Sequence, residues 1–373
     1  MASILSDVKV LEMGTFITGP ACGMFLADMG ADVIKIERPD SGDPFRAFKG
    51  ELYSPHFQTY NRNKRSIELD TRQQKDLEYF DELIKDADVF IENFRPGVAK
   101  KLNIDAERLR AINPKLIYCS ISGFGSDGPD AMKPAFDTVA QAATGFLRLL
   151  LNPKNPRVVG PAIADAITGF YASQGALAAL YSREKTGQGK LVEISMFEAM
   201  SHFNLDDFTH YFSAGQIMGP ESRPNVSQSY VFECQDAEWI ALHMSSPEKF
   251  WSGLANAVGE PDMLSRPEFS SRESRIDNYD KVLAHLKPIF LSKPLEYWCN
   301  RLIEIEVPHS PVYNSKDALE TPQAKHMQML VEAPHPVLGK YKTVRPPLRF
   351  DGEITTSVTA PPLLGEHNGE RFR

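Results

Sequence analysis

Short apolar runs alternate with helix-forming stretches through the first half of the chain. The apolar runs predict buried strands, at residues 8–11, 31–36, 88–91, 116–121 and 191–194. The segments between and after them predict helices, of which the clearest lie at 21–29, 73–85, 137–150 and 196–211. Alternation of strands and helices is typical of a parallel sheet covered by helices. We therefore predict an α/β fold with a large, doubly wound domain.

Residues 160–183 stand apart because almost all of their side chains are small. Between residues 161 and 181 the only charged side chain is that of Asp165. The run is long enough to span a membrane, but its Ala, Gly, Ser and Thr content and the lack of a second such run argue against that interpretation. We expect a central helix, or one at a tight subunit interface, that lets another backbone come close.

Asp165 lies where this helix is expected to begin, and two interpretations of its carboxylate are open. It can cap the first turn by accepting a hydrogen bond from a free backbone N–H group. It can instead be a nucleophile, held ionised in a dry pocket. The helix dipole would favour its ionised form in either case. The local sequence does not separate the two interpretations.

The pattern changes after a linker at 219–224. Short apolar runs at 230–234 and 239–242 flank a polar turn and predict a hairpin. Further helices are predicted at 247–258, 278–291 and 294–304. The proline-rich stretches at 335–350 and 361–367 are expected to wrap, extended, over existing structure. We predict a large domain at 1–220, a small α+β domain at 225–325 and a C-terminal segment at 326–373 that returns to the large domain.

Charge and cysteine content narrow the classes of function. The net charge of −8 argues against broad binding of nucleic acid or of an anionic membrane. Charged residues occur too early at the N-terminus for a secretory signal, so a cytoplasmic location is expected. The four cysteines lie far apart and form no C-x-x-C pair, so we expect neither a metal site nor a disulfide framework.

Polar residues that follow predicted strands are candidates for ligand contacts. The turn at 14–20 lacks the G-x-G-x-x-G pattern and gives little support to a nicotinamide site. Arg38 follows the second strand, where a guanidinium can stack on a purine, pair with a phosphate or face solvent. The basic run at 61–65 is expected to be a solvated or phosphate-facing loop. The turn at 92–97 follows another strand, and ligands of open α/β sheets bind at such edges.

Six motifs occur in order along the chain: LEMGTFITGPACGMFLADMGADVIKIERPDSGDPFR, NRNKRSIELD, ENFRPG, INPKLIYCSISGFG, PAIADAITGFYASQGALAALYSREKTGQG and PPLLGEH. Together they resemble the family III CoA-transferases, or CaiB/BaiF family, which includes formyl-CoA transferase, carnitine CoA-transferase and the α-methylacyl-CoA racemases. The resemblance covers nearly the whole chain. It implies a large Rossmann-like domain, a smaller α+β domain and an obligatory dimer of two interlocked chains.

The resemblance assigns the chemistry to Asp165, which matches the catalytic aspartate of the family. It implies that this carboxylate attacks an acyl-CoA, forming a mixed anhydride and then an aspartyl-CoA thioester. An organic acid then accepts the CoA. CoA and acyl-CoA are thus substrates, with no tightly bound cofactor and no metal. Gly14 and Gly19 are candidates for close backbone approach to the oxyanion.

The resemblance also implies which residues contact CoA. Arg38 would lie at the adenine and phosphate end, and Phe94 and Leu102 would offer apolar contact. Core packing is at least as good an explanation for Leu69 and Leu102. The full set is Arg38, Leu69, Arg72, Asn93, Phe94, Lys101 and Leu102.

Two positions depart from better-known members of the family. Phe136 stands where the racemases have the histidine of their acid–base pair, and it cannot transfer a proton. Ile17 stands where formyl-CoA transferase has a glutamine, and residues 213–227 contain only two glycines where that enzyme has a glycine-rich loop. Formate and oxalate are therefore poor candidates. Phe16, Ile17 and Phe136 predict an apolar acyl pocket, with succinyl-CoA and a larger organic acid as the default substrates.

Two alternatives to a homodimeric transferase stay open. The first is an α-methylacyl-CoA racemase or epimerase, which the phenylalanine at position 136 disfavours. The second is one subunit of a heteromeric CoA-transferase formed with a paralogue. The presence of Asp165 argues against a purely structural role in such a heteromer.

Overall fold

The computed structural model describes residues 4–48, 52–245 and 248–373, and the chain divides into two compact units. The first unit comprises Met1–Leu147, Val158–Leu205 and Pro322–Arg373. The second comprises Arg148–Arg157 and Asp206–Thr321. This grouping places residues 148–157 and 206–220 in the second unit. The three-part division at 1–220, 225–325 and 326–373 stays a prediction of the sequence.

A six-stranded parallel sheet forms the centre of the first unit, in the order β3-β2-β1-β4-β5-β6. The strands are β1 (Lys9–Glu12), β2 (Asp32–Glu37), β3 (Lys64–Glu68), β4 (Val89–Glu92), β5 (Ile117–Ser122) and β6 (Leu191–Ser195). The predicted parallel sheet is confirmed. Successive strands are added on one side of β1 up to β3 and on its other side from β4 onward. The boundary between β1 and β4 is the topological switch point, where doubly wound folds bind ligands.

Helices cover both faces of this sheet. The helices up to α9 are α1 (Thr18–Asp28), α2 (Pro55–Tyr60), α3 (Gln74–Asp86), α4 (Val98–Lys101), α5 (Ala106–Ile112), α6 (Asp137–Ala143), α7 (Phe146–Leu150), α8 (Ile163–Thr186) and α9 (Met196–Phe203). Helices α1 and α8 pack on one face, and α3 and α5 pack on the other. The single helix predicted at 137–150 breaks between α6 and α7 at Gly145, whose φ of 80° is left-handed.

Helix α8 packs tightly on α1, as its small residues predict. A Cβ added to Gly169 would lie 2.6 Å from the Cβ of Ala21 and 2.8 Å from the carbonyl oxygen of Thr18. Any larger residue there would push the two helices apart. Within the described part of the chain, no helix combines the length and apolar character needed to cross a membrane.

A buried ionic network lies near the carboxyl ends of β1 and β2 and includes Lys64, the first residue of β3. The Lys35 ammonium contacts Glu12 at 2.8 Å and Asp43 at 3.1 Å, and Lys64 contacts Glu12 at 2.6 Å. None of these four side chains is exposed to solvent. Burial raises the pKa of Glu12, but Lys35 and Lys64 outweigh it and bring that pKa below its usual value.

A second buried pair adjoins this network. Arg46 binds Glu37 through two hydrogen bonds of 2.6 and 2.7 Å, and Ser66 donates to the same carboxylate at 2.6 Å. The guanidinium also lies 3.8 Å from the ring centroid of Phe57. Glu37 therefore neutralises a buried arginine instead of standing free at the end of its strand.

The prediction of a solvated or phosphate-facing loop at 61–65 is wrong, because the cations of this segment are buried in ion pairs within the protein. Arg62 pairs with Asp28 at 2.6 Å, and Arg65 pairs with Asp32 at 2.6 Å, while Lys64 joins the buried network. All three cations are buried. Their acidic partners lie some 30 to 50 residues earlier in the chain, so no local pattern reveals them.

The last part of the chain packs on β3. It contains α17 (Pro322–His326) and two antiparallel pairs, β10 (Leu330–His335) with β11 (Gly339–Val344), and β12 (Arg349–Phe350) with β13 (Glu353–Ile354). The carbonyl of Pro362 accepts from Arg46 at 3.2 Å, and the amide of His367 donates to the carbonyl of Ser66 at 2.9 Å. Residues 361–367 are extended or in turns, as expected, whereas the stretch from 335 contains β11 and β12.

The second unit is built on a three-stranded antiparallel sheet of β7 (Ser229–Glu233), β8 (Trp239–His243) and β9 (His309–Pro311). The predicted hairpin is confirmed. Its helices are α10 (Leu205–Ala214), α11 (Ser222–Ser227), α12 (Glu248–Ala257), α13 (Arg272–Asp277), α14 (Tyr279–Phe290), α15 (Leu295–Glu304) and α16 (Ser315–Glu320). Residue 247, the predicted start of α12, lies outside the described residues. The helix predicted at 196–211 is two helices, α9 and α10, interrupted at Asn204.

The buried network predicts a large effect of one substitution. Lys35→Met would leave Glu12 and Asp43 with an uncompensated buried charge, which should cost about 3–5 kcal/mol in the free energy of unfolding. Urea unfolding followed by circular dichroism measures this. The control is Lys340→Met, which removes an exposed pair with Glu332 and should change little. Equal stability of the two variants would contradict the assigned role of Lys35.

Candidate active site

A cavity of about 220 Å³ lies at the switch point of the sheet. Its walls come from the loop after β1, the turn after β4, the loop after β5 and the first turn of α8. All three predicted pocket residues, Phe16, Ile17 and Phe136, line it together with Asp165. The structure thus brings together side chains that are up to 149 positions apart in the sequence.

Asp165 lies in the first turn of α8 but does not cap it. Asp137, at the start of α6, takes that role: its Oδ1 accepts from the amides of Ala164 at 2.8 Å and of Asp165 at 3.3 Å. No residue in the described ranges donates a hydrogen bond to the Asp165 carboxylate or forms an ion pair with it. The cap interpretation is therefore wrong, and the half-buried carboxylate is free to react.

The electrostatics of Asp165 also differ from the expectation. Burial, with a further contribution from the charge of Asp137, raises its pKa from 3.8 to about 7. Burial thus disfavours the ionised form of Asp165, contrary to the prediction that the helix start favours it. Because its pKa lies near neutrality, Asp165 gains or loses its proton within the physiological range of pH.

The loop that carries Phe16 and Ile17 is held by two side chains from elsewhere in the chain. Asn93 accepts from the amide of Thr15 at 2.9 Å and donates to the Thr15 carbonyl at 2.8 Å and to the Thr18 hydroxyl at 2.9 Å. Asp43 accepts from the amide of Phe16 at 3.2 Å. The side chain of Asn93 is thus committed to shaping the cavity.

Phe16 has an unusual backbone conformation. Its φ of 62° is left-handed, which is rare for a bulky residue and costs free energy. The ring contacts Phe45 and Phe136 edge-on, with centroids 5.2 and 5.7 Å away. The bond to Asp43 and these ring contacts hold the residue in place. The sequence signalled Phe16 but not Asp43, which supports it from 27 residues away.

Gly14 and Gly19 face one another within this loop. A Cβ on Gly14 would lie 2.8 Å from the Cα of Gly19, and a Cβ on Gly19 would lie 2.9 Å from the Cα of Gly14. Neither residue lines the cavity that contains Asp165. Their mutual packing explains the two glycines without a role at the oxyanion. Ile17 and Thr18 do line the cavity, at the N-terminus of α1, where N–H groups lack intrahelical acceptors.

A second cavity, of about 410 Å³, shares two of its lining residues, Thr15 and Phe94, with the first. The predicted CoA-contacting residues that line it are Arg38, Leu69, Arg72, Phe94 and Leu102. Arg38 is exposed, and Arg72 pairs with Asp70 at 2.7 Å. Of the other two residues in the predicted set, Asn93 lines the first cavity only and Lys101 lines neither.

Leu69 and Leu102 pack against the hydrophobic core as well as lining the second cavity, so both explanations offered for them describe real contacts.

In the ranges that the structure describes, no group of three or more His, Cys, Asp and Glu side chains is arranged to hold a metal ion. All four cysteines are unpaired thiols. The predicted absence of a cofactor is not tested by these observations.

Comparison with known proteins gives the family. The sequence model of CoA-transferase family III matches residues 5–368. This chain belongs to CoA-transferase family III. A succinyl-CoA–D-citramalate CoA-transferase of Chloroflexus aurantiacus is 32% identical over 99% of this chain and 93% of its own. A formyl-CoA:oxalate CoA-transferase of Escherichia coli O157:H7 is 31% identical over 98% of this chain and 94% of its own.

Solved structures agree with the family assignment. A CaiB/BaiF family protein from Brucella suis has a TM-score of 0.86 and 31% identity, and the match covers 97% of each chain. A Mycobacterium tuberculosis protein has a TM-score of 0.86 and 26% identity over 99% of each chain. The family predicted from the six motifs is confirmed, and with it CoA-transferase activity. The predicted α/β fold class is confirmed as well.

The aspartate pair of this family III CoA-transferase predicts a pH effect. The family resemblance implies that Asp165 reacts as a carboxylate, in which case kcat/KM for the acyl-CoA should rise as the pH increases through about 7. Asp137→Asn keeps an oxygen that can accept from the α8 amides but removes the neighbouring charge. The pKa of Asp165 should fall, and the acidic limb of the pH profile should move to lower pH.

The matched control for this prediction is Asp127→Asn, which removes an exposed carboxylate outside the cavity. Its pH profile should coincide with that of the unmodified enzyme. A profile of Asp137→Asn that does not move would show that Asp137 does not influence the ionisation of Asp165.

Proposed function

We propose that this enzyme moves CoA from an acyl-CoA donor, with succinyl-CoA as the favoured candidate, to an organic acid through covalent intermediates on Asp165. One observation carries the proposal. A half-buried carboxylate, without a hydrogen-bond donor in the described ranges, lies in an apolar-walled cavity at the switch point of the sheet. The aspartate that matches the family's nucleophile is thus the one that the fold leaves free.

The proposed reaction begins with attack of an Asp165 oxygen on the thioester carbonyl of the donor. The C–S bond breaks, CoA leaves as the thiolate and a mixed anhydride forms. The thiolate then attacks the aspartyl carbonyl, which releases the donor acid and leaves an aspartyl-CoA thioester. The acceptor carboxylate attacks that thioester, and the same steps in reverse give the new acyl-CoA. Each step conserves charge and needs no oxidant.

The oxyanions of these steps need hydrogen-bond donors. We assign this role to the N-terminus of α1, where Ile17 and Thr18 line the same cavity as Asp165. Free amides there favour negative charge, and the helix dipole adds to the effect. This assignment replaces the one to Gly14 and Gly19, which pack closely against each other.

CoA itself is proposed to occupy the second cavity. Arg38 and Arg72 supply positive charge for the phosphates of the ADP moiety, and Phe94, Leu69 and Leu102 supply apolar walls. The side chain of Phe94, common to both cavities, would lie beside the pantetheine arm. Asn93 acts by holding the loop after β1, and Lys101 would contact CoA only from the exposed surface of α4.

The substrates are proposed from the walls of the first cavity. Phe16, Ile17, Phe136 and Met196 make it largely apolar, with room for a small organic acid. The name of the Chloroflexus aurantiacus relative specifies a succinyl-CoA donor and a D-citramalate acceptor, whereas that of the Escherichia coli relative specifies formyl-CoA and oxalate. Because Ile17 and Phe136 are apolar, we take the succinyl-CoA donor and D-citramalate acceptor as the better guide to the substrates of this enzyme.

Racemisation is the second candidate, because an aspartate with a pKa near 7 is also suited to proton transfer. Phe136 argues against racemisation, since racemisation needs a second acid–base group on the other side of the substrate's α-carbon and phenylalanine cannot transfer a proton. Exchange of the α-proton of a branched acyl-CoA with solvent deuterium distinguishes the two functions.

We further propose that the enzyme works in the cytoplasm as an interlocked homodimer. Helices α8 and α9 expose large apolar side chains, among them Phe170, Tyr181, Phe197 and Phe203, which a second chain would cover. A heteromer with a paralogue is the alternative. The native mass of the chain expressed alone and together with a paralogue separates the two cases.

The covalent intermediate is directly testable. Incubation with succinyl-CoA followed by hydroxylamine and peptide mapping should place a hydroxamate on Asp165. Asp165→Ala should fold normally and lose transfer by several orders of magnitude. Near-normal turnover of this variant, or a label on a different residue, would overturn the assignment of the nucleophile.

The placement of CoA has its own test. Arg38→Ala should raise the KM for the acyl-CoA about 10-fold or more with little change in kcat, because a phosphate contact is made equally in ground and transition states. Arg301→Ala, on an exposed face of the second unit, is a matched loss of charge and should leave KM unchanged. An unchanged KM for Arg38→Ala would remove Arg38 from the CoA site.

A further inference from the structure

Arg95 lies in the turn after β4 and lines the same cavity as Asp165. The side chain is exposed, and no residue in the described ranges forms an ion pair or hydrogen bond with it. The proposed transfer steps on Asp165 do not involve this arginine. A guanidinium in the same cavity as the proposed nucleophile, without an acidic partner in the described ranges, is a candidate for contact with the substrate.

Other arginines of the first unit differ from Arg95 because their guanidinium groups form ion pairs within the protein. Four of them pair with a carboxylate at 2.5 to 2.6 Å. They are Arg46, Arg62, Arg65 and Arg108. An arginine that serves packing is paired in this fold, so the unpaired Arg95 at the cavity wall is available for an anion from outside.

The remaining charges of the cavity are few. Lys133 also lines it, but its ammonium lies 5.1 Å from the ring of Phe124 and 3.8 Å from the carboxylate of Asp130. Lys133 is therefore partly neutralised, whereas Arg95 is not. Among the described residues of this wall, Arg95 is therefore the unpaired cation that can bind a second anionic end of a substrate.

The position of both charged groups in one cavity indicates what that substrate could be. Arg95 and Asp165 both line the cavity of about 220 Å³. A small acid with a short carbon chain that occupies it could therefore place one end at Asp165 and the other at Arg95.

We propose that Arg95 binds the distal carboxylate of a short dicarboxylic acid while the other carboxyl group, or its thioester, reacts at Asp165. Planar guanidinium groups bind carboxylates through two parallel hydrogen bonds, which would fix the orientation of the acid as well as its affinity. The inference rests on the proposed transfer through Asp165. It makes Arg95 a specificity-determining residue that selects diacids over monoacids of the same length.

A phosphate of CoA is the other anion that Arg95 could contact. The two sources predict different kinetics, since a phosphate contact would affect every acyl-CoA equally, whereas a distal carboxylate exists only in diacids. The second cavity already provides Arg38 and Arg72 for the phosphates, which favours the diacid.

Isotope self-exchange tests the proposal without knowledge of the natural acceptor. One assay measures exchange between succinyl-CoA and carbon-13-labelled succinate, and the other measures exchange between butyryl-CoA and labelled butyrate. The unmodified enzyme should exchange succinate faster. Arg95→Gln should slow succinate exchange about 10- to 100-fold, as expected for loss of a charged hydrogen-bond pair, and change butyrate exchange less than about 3-fold.

Two further variants complete the design. Arg95→Lys keeps the charge and should recover part of the succinate exchange. Lys100→Gln removes a neighbouring exposed charge that lines neither cavity, and both exchange rates should stay unchanged. Calorimetric titration with succinate alone provides a readout independent of turnover, in which Arg95→Gln should bind at least about 10-fold more weakly.

Several results would overturn the proposal. They are an equal loss of both exchange rates in Arg95→Gln, faster butyrate than succinate exchange in the unmodified enzyme, and the absence of both succinate exchange and succinate binding. Failure of the transfer mechanism has a different signature, because Asp165→Ala would then retain self-exchange whatever the effect of Arg95.

Discussion

The buried contact between Lys35, Glu12 and Asp43 is the interaction on which the site depends. Lys35 joins the end of β1 to Asp43 and also donates to the carbonyl of Gly14 at 2.8 Å. Asp43 in turn holds the amide of Phe16. Because buried charges are costly when unpaired, none of these groups can move without exposing another. The loop that lines the cavity of Asp165 is therefore attached to buried charged groups of the sheet.

Buried polar groups also find their partners in the last residues of the chain. Arg46, paired with Glu37, reaches the carbonyl of Pro362, and the amide of Gly365 donates to the hydroxyl of Ser66 at 3.1 Å. The C-terminal residues thus complete the hydrogen bonds of groups that β2 and β3 bury. A chain that lacked them would leave buried polar groups unsatisfied next to the proposed CoA site.

The two aspartates at the start of α8 have different roles. Asp137 satisfies the free amides of the helix, which leaves the carboxylate of Asp165 without a structural task. Its proximity also helps to keep the pKa of Asp165 near 7. A carboxylate of higher pKa is a stronger nucleophile once ionised, at the cost of being partly protonated at neutral pH. The arrangement balances reactivity against the fraction of enzyme that is ready to react.

The sequence by itself determined the parallel sheet, the hairpin of the second unit, the close approach of another backbone to α8, and the family, because periodicity, small residues and motifs are local properties of the chain. It also named Asp165, Phe16, Ile17 and Phe136, which the fold brings into one cavity. Only the tertiary structure decided that the basic residues at 61–65 are buried, that Asp137 caps α8, that Phe16 is left-handed and that the helix at 137–150 breaks. Three of these outcomes rest on contacts between residues 27 to 52 positions apart, and the helix break on the left-handed backbone of Gly145. Local patterns do not encode which distant carboxylate or amide a side chain will meet.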